Sequence, residues 1–161
     1  AFAWLINYGS LFLIFFYCLI IIYRILYPLV FLLLLPKYLL RMKKRGGYKK
    51  DFGHRFGKIT GVPPRGGKKR IWLQAVSVGE VNAIEPLLRL LVGQGYEVVL
   101  TTTTSTGYAL ATEKYSALCA AVGIFPIDWP PFSRESWNRI NPDLAILMES
   151  ELWPEHLEQA R

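Results

Sequence analysis

Two hydrophobic patterns divide the chain. From residue 1 to 35 apolar residues run almost without interruption, and Arg24 is the only side chain there with a formal charge. After residue 70, short apolar runs alternate with segments whose apolar positions recur at helical spacing, as in residues 82–93. The first pattern is typical of a helix in a membrane, and the second of a sheet with helices on its faces.

The N-terminal apolar run is long enough to cross a membrane, which takes about 20 apolar residues. A charged side chain at the bilayer centre costs about 2.5–3.5 kcal/mol on insertion scales, so Arg24 should lie at the interface. We therefore expect one span over about residues 2–23, with 25–42 on the membrane surface. A span over 11–35 is the alternative. A cleaved signal peptide is less favoured, because no basic start is visible and no A-x-A site follows the apolar run.

The net charge of +7 is unevenly distributed. Residues 37–70 hold thirteen Lys or Arg and one acid, giving +12, whereas residues 71–161 hold five basic and eleven acidic residues, giving −6. Basic residues directly after an apolar segment mark the cytoplasmic side of a membrane and can contact anionic lipid. We therefore expect a membrane anchor over 1–36, a basic juxtamembrane linker over 37–70 and a cytoplasmic domain over 71–161, with membrane lipids rather than nucleic acid as partners.

The sequence gives little support for metal, disulfide or nucleotide sites. Cys18 lies in the apolar run and Cys119 in the soluble part, so a disulfide framework is not expected. His54 and His156 share no ligand spacing with either cysteine. The stretch GVPPRGGKKR lacks the order G-x-x-x-x-G-K-[ST] and precedes a strand instead of a helix, which argues against a phosphate-binding loop. We therefore expect neither a metal nor a bound cofactor.

The segment after residue 70 reads as alternating strands and helices. The predicted strands are IWLQAV, EVVLTT, GIFPI and DLAILM. Helices are predicted over 82–93, 107–118 and 132–140, and a last one begins near Pro154. Pro86 fits the first of these helices only if it lies in the first turn, where its missing N–H is harmless. The alternation predicts an α/β fold with a parallel sheet and helices on both faces.

Polar residues, with one glycine among them, follow three of the predicted strands. They are Ser77, Gly79 and Glu80 after the first strand, Thr104, Ser105 and Thr106 after the second, and Glu149, Ser150 and Glu151 after the fourth. Because the carboxyl ends of parallel strands share one edge of a sheet, these groups should line a single crevice. Ser and Thr also cap helices, and Glu in a first turn complements the helix dipole, so capping is the structural alternative at each tip.

The motifs AVSVGE, TTTTSTG and MESELWP, in this order, resemble the N-terminal half of the 3-deoxy-D-manno-octulosonic acid (Kdo) transferases of lipopolysaccharide synthesis. The resemblance covers about residues 37–161. It implies the GT-B arrangement, in which two Rossmann-like domains face each other across a cleft, and residues 71–161 would belong to the N-terminal acceptor domain. It also implies metal-independent transfer of Kdo from CMP-Kdo to a lipid A precursor, by a single-pass protein of the bacterial inner membrane.

The resemblance also implies roles for the strand-tip residues. Glu80 matches the catalytic base, and a carboxylate there can take the proton of the attacking hydroxyl. Gly79 would let the backbone turn closely beside substrate. The family's E-x-E-L-W-P pattern includes Glu149 and Glu151, which would orient the acceptor or support Glu80.

The remaining tip residues would bind or support the acceptor. The hydroxyls of Ser105 and Thr106, with free N–H groups at a helix start, could hold an acceptor phosphate. Ser77 and Thr104 are counted with them as acceptor-binding or supporting residues. CMP-Kdo would bind mainly to a C-terminal domain that these 161 residues lack, so the piece alone is expected to be inactive.

Two other functions stay open at this point. One is another GT-B transferase with a different lipid acceptor. The other is a membrane-tethered binding domain without catalysis, since a fold alone does not decide function. A second Rossmann domain with a nucleotide site would favour an enzyme.

Overall fold

The structure, a computed structural model, describes residues 2–44, 49–148 and 153–161. The chain divides into two compact units, Ala1–Tyr38 and Leu39–Arg161. Glu149, Ser150 and Glu151 lie outside the described residues, so their roles stay predictions.

Helix α1 spans Phe2–Lys44 and continues through Pro28 and Pro36. At 1.5 Å per residue it is about 65 Å long, roughly twice the thickness of a bilayer's hydrocarbon core. An 18-residue window within its part Phe15–Lys44 has a mean hydropathy of 2.5, and this part is long and apolar enough to cross a membrane. A candidate span is therefore present at the N-terminus as expected. The helix does not end at Arg24, and the limits 2–23 stay a prediction.

The second unit alternates strands and helices. After the end of α1 its elements are a 3-10 helix Lys49–Phe56, β1 Arg70–Ala75, α2 Val78–Ala83, α3 Glu85–Gly93, β2 Glu97–Thr102, α4 Ser105–Tyr115, β3 Ala121–Ile124, α5 Pro130–Ile140, β4 Leu144–Leu147 and α6 Pro154–Gln159. The four strands form one parallel sheet in the order β3-β2-β1-β4. The predicted α/β fold with a parallel sheet is confirmed.

Helices cover both faces of the sheet. On one face Leu73 and Leu100 pack with Val81 of α2, Leu88 of α3 and Tyr115 of α4. On the other face the buried cluster is built around Trp72, Val99, Phe125 and Ile140, the last residue of α5. The central strand β1 is buried along its whole length, as its apolar sequence predicts for a strand covered on both faces.

The segment predicted as a single helix over 82–93 forms two helices instead. Helix α2 ends at Ala83, and α3 begins at Glu85 with Pro86 in its first turn. Proline has no N–H to donate, and inside a helix its ring clashes with the carbonyl four residues before it. Pro86 does occupy a first turn as expected, but a new helix begins there.

Residues before β1 also pack on the sheet. His54 is buried, and the Arg55 guanidinium donates to the carbonyl oxygens of Phe125, at 2.9 Å, and Thr103. Ile59 lies in the core on the α5 face. These residues fall within the range 37–70 predicted as a linker. The domain boundaries stay a prediction, but this part of the range contributes buried side chains to the α/β unit.

Arg70 anchors the edge of the sheet where the strands begin. Its guanidinium is 1% exposed and donates to Glu97 Oε2 at 3.0 and 2.8 Å and to the carbonyls of Ile140 and Pro63, each at 2.8 Å. The Arg70 N–H donates to Asp143 Oδ2 at 2.7 Å. Hydrogen bonds from Arg65 and from the Arg70 backbone hold the pKa of Asp143 well below its usual range. The buried guanidinium charge is thus paired and hydrogen-bonded, as burial of a charge requires.

Candidate functional site

The tip of β1 lies where the strand order reverses. From β1 the chain continues to β2 and β3 on one side, and it returns to place β4 on the other. In open α/β sheets ligands bind in the crevice beside such a point, at the carboxyl ends of the strands. Glu80 lies in the first turn of α2, five residues after the end of β1. The structure therefore places this carboxylate beside the expected crevice.

Two hydrogen bonds fix the Glu80 carboxylate. Oε2 accepts the Val76 N–H at 2.7 Å, and Oε1 accepts the Ser77 hydroxyl at 3.0 Å. The side chain is half-buried. An ionised carboxylate offers about four acceptor sites, so one bond to each oxygen leaves both able to accept another proton donor. The carboxylate is positioned and still able to receive a proton.

Capping does not account for Ser77 and Glu80. In a capping box the serine oxygen would accept the N–H of Glu80, and the glutamate would accept the N–H of Ser77. Here Ser77 makes no side-chain cap bond and donates its hydroxyl to Glu80 instead, while Glu80 accepts from Val76. The pair thus orients a carboxylate, and the start of α2 has no side-chain cap from Ser77.

Val76 connects the tips of the two central strands. Its carbonyl oxygen accepts the N–H groups of Thr103 and Thr104 at 3.3 and 3.1 Å and the Thr104 hydroxyl at 3.2 Å. Its own N–H is the donor to Glu80. The position of the carboxylate therefore depends on the tip of β2. Sequence reasoning missed Val76, because a backbone contact leaves no mark on the side-chain pattern.

The hydroxyls after β2 have different surroundings. Thr104 caps α4 by accepting the Gly107 N–H at 3.1 Å. A side chain at Gly107 would lie 2.9 Å from that hydroxyl oxygen, so α4 begins in close contact with the strand tips. Ser105 is buried, and Thr106 is exposed. Of the two hydroxyls predicted to hold a phosphate, Thr106 is the one presented to solvent.

Gly79 does not have the backbone role that its residue type suggests. Its φ is not positive, and an added Cβ would meet only the Ser77 hydroxyl at an ordinary 3.8 Å. The turn itself would therefore accept other residues. Any requirement for glycine at this exposed position would come from a bound molecule.

A buried polar chain supports the β2 tip. Trp72 Nε1 donates to Thr101 Oγ1 at 2.8 Å, the Thr101 hydroxyl donates to Gln74 Oε1 at 2.6 Å, and Gln74 Nε2 donates to Thr103 Oγ1 at 2.9 Å. Gln74 could have indicated this polar chain from the sequence, because it is an amide inside the apolar run IWLQAV. A buried amide needs partners, and here the neighbouring strand supplies them.

Among the described residues, neither the cysteines nor any group of metal-binding side chains indicates a second reactive site. No group of three His, Cys, Asp or Glu side chains there could hold a metal ion. Cys18 and Cys119 are free, and burial raises the pKa of the Cys119 thiol to about 12. A thiol with that pKa is a poor nucleophile near neutral pH. Metal independence stays a prediction.

Residues 50–161 match the protein family described as 3-Deoxy-D-manno-octulosonic-acid transferase (kdotransferase). The chain belongs to this family. Kdo transferases of named organisms are similar to it over most of its length. The enzyme of Chlamydia pneumoniae is 30% identical over 142 residues, which are 86% of this chain and 32% of that protein. The enzyme of Bordetella pertussis is 34% identical over 126 residues, which are 75% of this chain and 29% of that protein.

The match covers only part of a Kdo transferase. The chain also matches the enzyme of Haemophilus influenzae at 34% identity, over 77% of this chain and 27% of that protein. It therefore spans about a third or less of the relatives' length. No solved structure matches the chain significantly. Family membership establishes a glycosyltransferase of the Kdo transferase family and leaves the whole reaction to be proposed.

Proposed function

We propose that this chain is the acceptor-binding part of a Kdo transferase that moves Kdo from CMP-Kdo to a lipid A precursor. The observation that carries the proposal is the Glu80 carboxylate, held by Val76 and Ser77 at the strand-order reversal with an acceptor position left on each oxygen. Membership of the Kdo transferase family supports Kdo as the sugar that is transferred. The printed names of the relatives say only that they are 3-deoxy-D-manno-octulosonic acid transferases.

Glu80 acts as the general base. A hydroxyl oxygen of the acceptor attacks the anomeric carbon of Kdo and forms the new C–O bond, while the bond from that carbon to the phosphate of CMP breaks. The hydroxyl proton passes to a Glu80 oxygen, and CMP leaves with the bonding electron pair. A positioned base of this kind contributes about 10²–10⁴-fold to the rate. No metal or bound cofactor enters this scheme.

The acceptor lies along the strand tips. Thr106, with the start of α4 and the neighbouring Ser105, receives a phosphate group of the lipid, because helix starts favour anions. Gly79 leaves space beside Glu80. Glu149 and Glu151 are retained as candidates for orienting the acceptor or supporting Glu80. CMP-Kdo binds chiefly to a second domain, so the 161 residues alone should give no product.

The protein works at the cytoplasmic face of the bacterial inner membrane. α1 supplies a single-pass anchor, supported by its length and hydropathy. The basic residues between 37 and 50 favour the cytoplasmic side and attract anionic lipid. A lipid acceptor would then diffuse to the site within the membrane plane.

The test is Glu80→Gln in the full-length protein, assayed in carbonate-washed membranes with CMP-Kdo and a lipid A precursor. The change keeps the side chain's shape but removes its ability to take a proton. We expect turnover to fall about 100-fold or more, with both proteins retained in the membrane pellet. The matched control is Glu113→Gln, which makes the same change on an exposed face of α4.

Two results would contradict the proposal. Near-normal turnover in Glu80→Gln would remove Glu80 from the reaction, and the same change at Glu149 or Glu151 would then identify the base. Release of the protein into the carbonate supernatant would refute the anchor.

A further inference from the structure

Arg55 ties together the chain segments that follow β2 and β3. Its guanidinium is 7% exposed and donates to the carbonyl oxygens of Phe125, at 2.9 Å, and Thr103. These two residues come directly after the last residue pair of the two strands, Thr102 with Ile124. The arginine therefore continues the connection between β2 and β3 past their last residue pair.

The backbone that carries this arginine is itself fixed. The Arg55 carbonyl accepts the Ile127 N–H at 2.9 Å, and the His54 carbonyl accepts the Gly57 N–H at 3.0 Å. Hydrogen bonds donated by a charged group are shorter and about twice as strong as those between neutral groups. A guanidinium on a fixed backbone can thus hold both carbonyl groups in place.

The Thr103 carbonyl belongs to the same peptide group as the Thr104 N–H. A trans peptide group is planar, and its C=O and N–H point in opposite directions. Arg55 therefore holds one side of this group, while the Thr104 N–H on the other side donates to the Val76 carbonyl at 3.1 Å. Hydrogen bonds in such a chain strengthen one another, because each polarises the group that it contacts.

Val76 connects this peptide group to the Glu80 carboxylate. Its carbonyl is held by the segment after β2, and its N–H donates to Glu80 Oε2 at 2.7 Å. The path from Arg55 to Glu80 thus passes through one peptide group and one residue. Without the guanidinium that peptide group could rotate, and the carboxylate would lose its fixed position. A misplacement of about 1 Å in a reacting group can cost about 10²-fold in rate.

We propose that Arg55 is a positioning residue for the transfer reaction, which holds the Glu80 carboxylate at the acceptor hydroxyl through the peptide group between Thr103 and Thr104. The Gln74 amide, which donates to the Thr103 hydroxyl, supports the same residue from the neighbouring strand. The inference rests on the proposed role of Glu80 as the base.

A double-mutant cycle with Glu80→Gln tests it, on the full-length protein in carbonate-washed membranes with CMP-Kdo and a lipid A precursor. Arg55→Lys keeps the charge but has a single donor atom and lacks the fork that reaches both carbonyls. We expect it to lower kcat about 10-fold or more with little change in KM, because a misplaced base weakens only the transition state. In the Glu80→Gln background, with no base to position, it should change the residual kcat by less than about twofold.

Arg70→Lys is the matched control. Arg70 is also a buried arginine that donates to backbone carbonyls, but it lies at the edge of the sheet where the strands begin. Rates are expressed per folded protein, measured by tryptophan fluorescence. Any loss that Arg70→Lys causes should be the same factor with and without Glu80→Gln.

Two results would overturn the proposal. An unchanged kcat in Arg55→Lys would show that the carboxylate does not depend on the guanidinium, and an equal loss in both backgrounds would reduce Arg55 to a structural role. If Arg55→Lys does not fold, Arg55→Gln, which buries no charge, takes its place in the same cycle. Near-normal turnover in Glu80→Gln alone would instead refute the proposed base, so the two failures are distinguishable.

Discussion

Replacing Thr104 with valine removes a hydroxyl that makes two hydrogen bonds at the tip of β2. The hydroxyl accepts the Gly107 N–H at 3.1 Å as the cap of α4 and donates to the Val76 carbonyl at 3.2 Å. Loss of a helix cap costs about 1 kcal/mol, and loss of one neutral hydrogen bond costs about 1 kcal/mol more. We therefore expect Thr104→Val to lower the free energy of unfolding of the α/β unit by about 2 kcal/mol.

Tryptophan fluorescence during thermal unfolding is a suitable assay, because four of the five tryptophans lie after residue 70. A loss of about 2 kcal/mol in a unit of this size corresponds to a lower Tm by about 5–10 °C. Turnover in the full-length protein should fall as well, since Val76 would hold the Glu80 carboxylate less firmly. Thr104→Ser is the control, because it keeps the hydroxyl and should retain most of both properties.

An unchanged Tm in Thr104→Val would refute this reasoning and show that the two hydrogen bonds contribute nothing net. A lower Tm shared equally by Thr104→Ser would assign the effect to the methyl group. Either result would show that the Thr104 hydroxyl does not stabilise the turn that follows β1.

Two further predictions concern the packing of the α/β unit. Gly57 and Gly61 both have positive φ, but a Cβ at Gly57 would overlap the Phe132 carbonyl oxygen and lie 2.9 Å from Glu135 Cβ, whereas one at Gly61 meets nothing within 4 Å. Gly57→Ala should therefore cost about 1–3 kcal/mol more than Gly61→Ala in denaturant unfolding, and equal losses would contradict the packing. Burial lowers the pKa of His156 to about 3, outweighing the opposing effect of the Pro126 carbonyl. Between about pH 3 and 6.5 the unfolded chain therefore binds a proton at this histidine that the native state does not, and stability rises with pH by up to about 1.4 kcal/mol per unit. His156→Leu should remove that contribution, and an unchanged slope in this variant would show that the histidine is not held neutral.

The periodicity of the sequence predicted the sheet because each strand is a short apolar run and each helix has one apolar face. It could not show that Ile84 would separate two helices, since the apolar spacing from Val81 to Leu88 continues across the break. It also could not show that residues near Ile59 pack into the core. That segment is rich in glycine, proline and basic residues, and its few buried side chains carry no period.

The site was predictable in its placement and not in its contacts. Ser77 and Glu80 three residues apart favour a capping box as strongly as a catalytic carboxylate, and only the observed donors distinguish them. The hydroxyl run after β2 looks uniform in sequence. In the structure Thr104 is a cap, Ser105 is buried and Thr106 is exposed, because each successive residue at a strand-to-helix turn points in a different direction.

The Arg70 network lies at the edge of the sheet opposite Glu80, and this separation has a consequence for how the family can evolve. Lysine could not replace Arg70, because it has three donors on one atom and lacks the planar fork that reaches two carbonyls and a carboxylate at once. Selection for folding should therefore act strongly on Arg70 at that end, whereas selection for catalysis acts on Glu80 at the carboxyl ends of the strands. A lineage could acquire a new acceptor through changes at the strand tips while the scaffold beneath them stays intact.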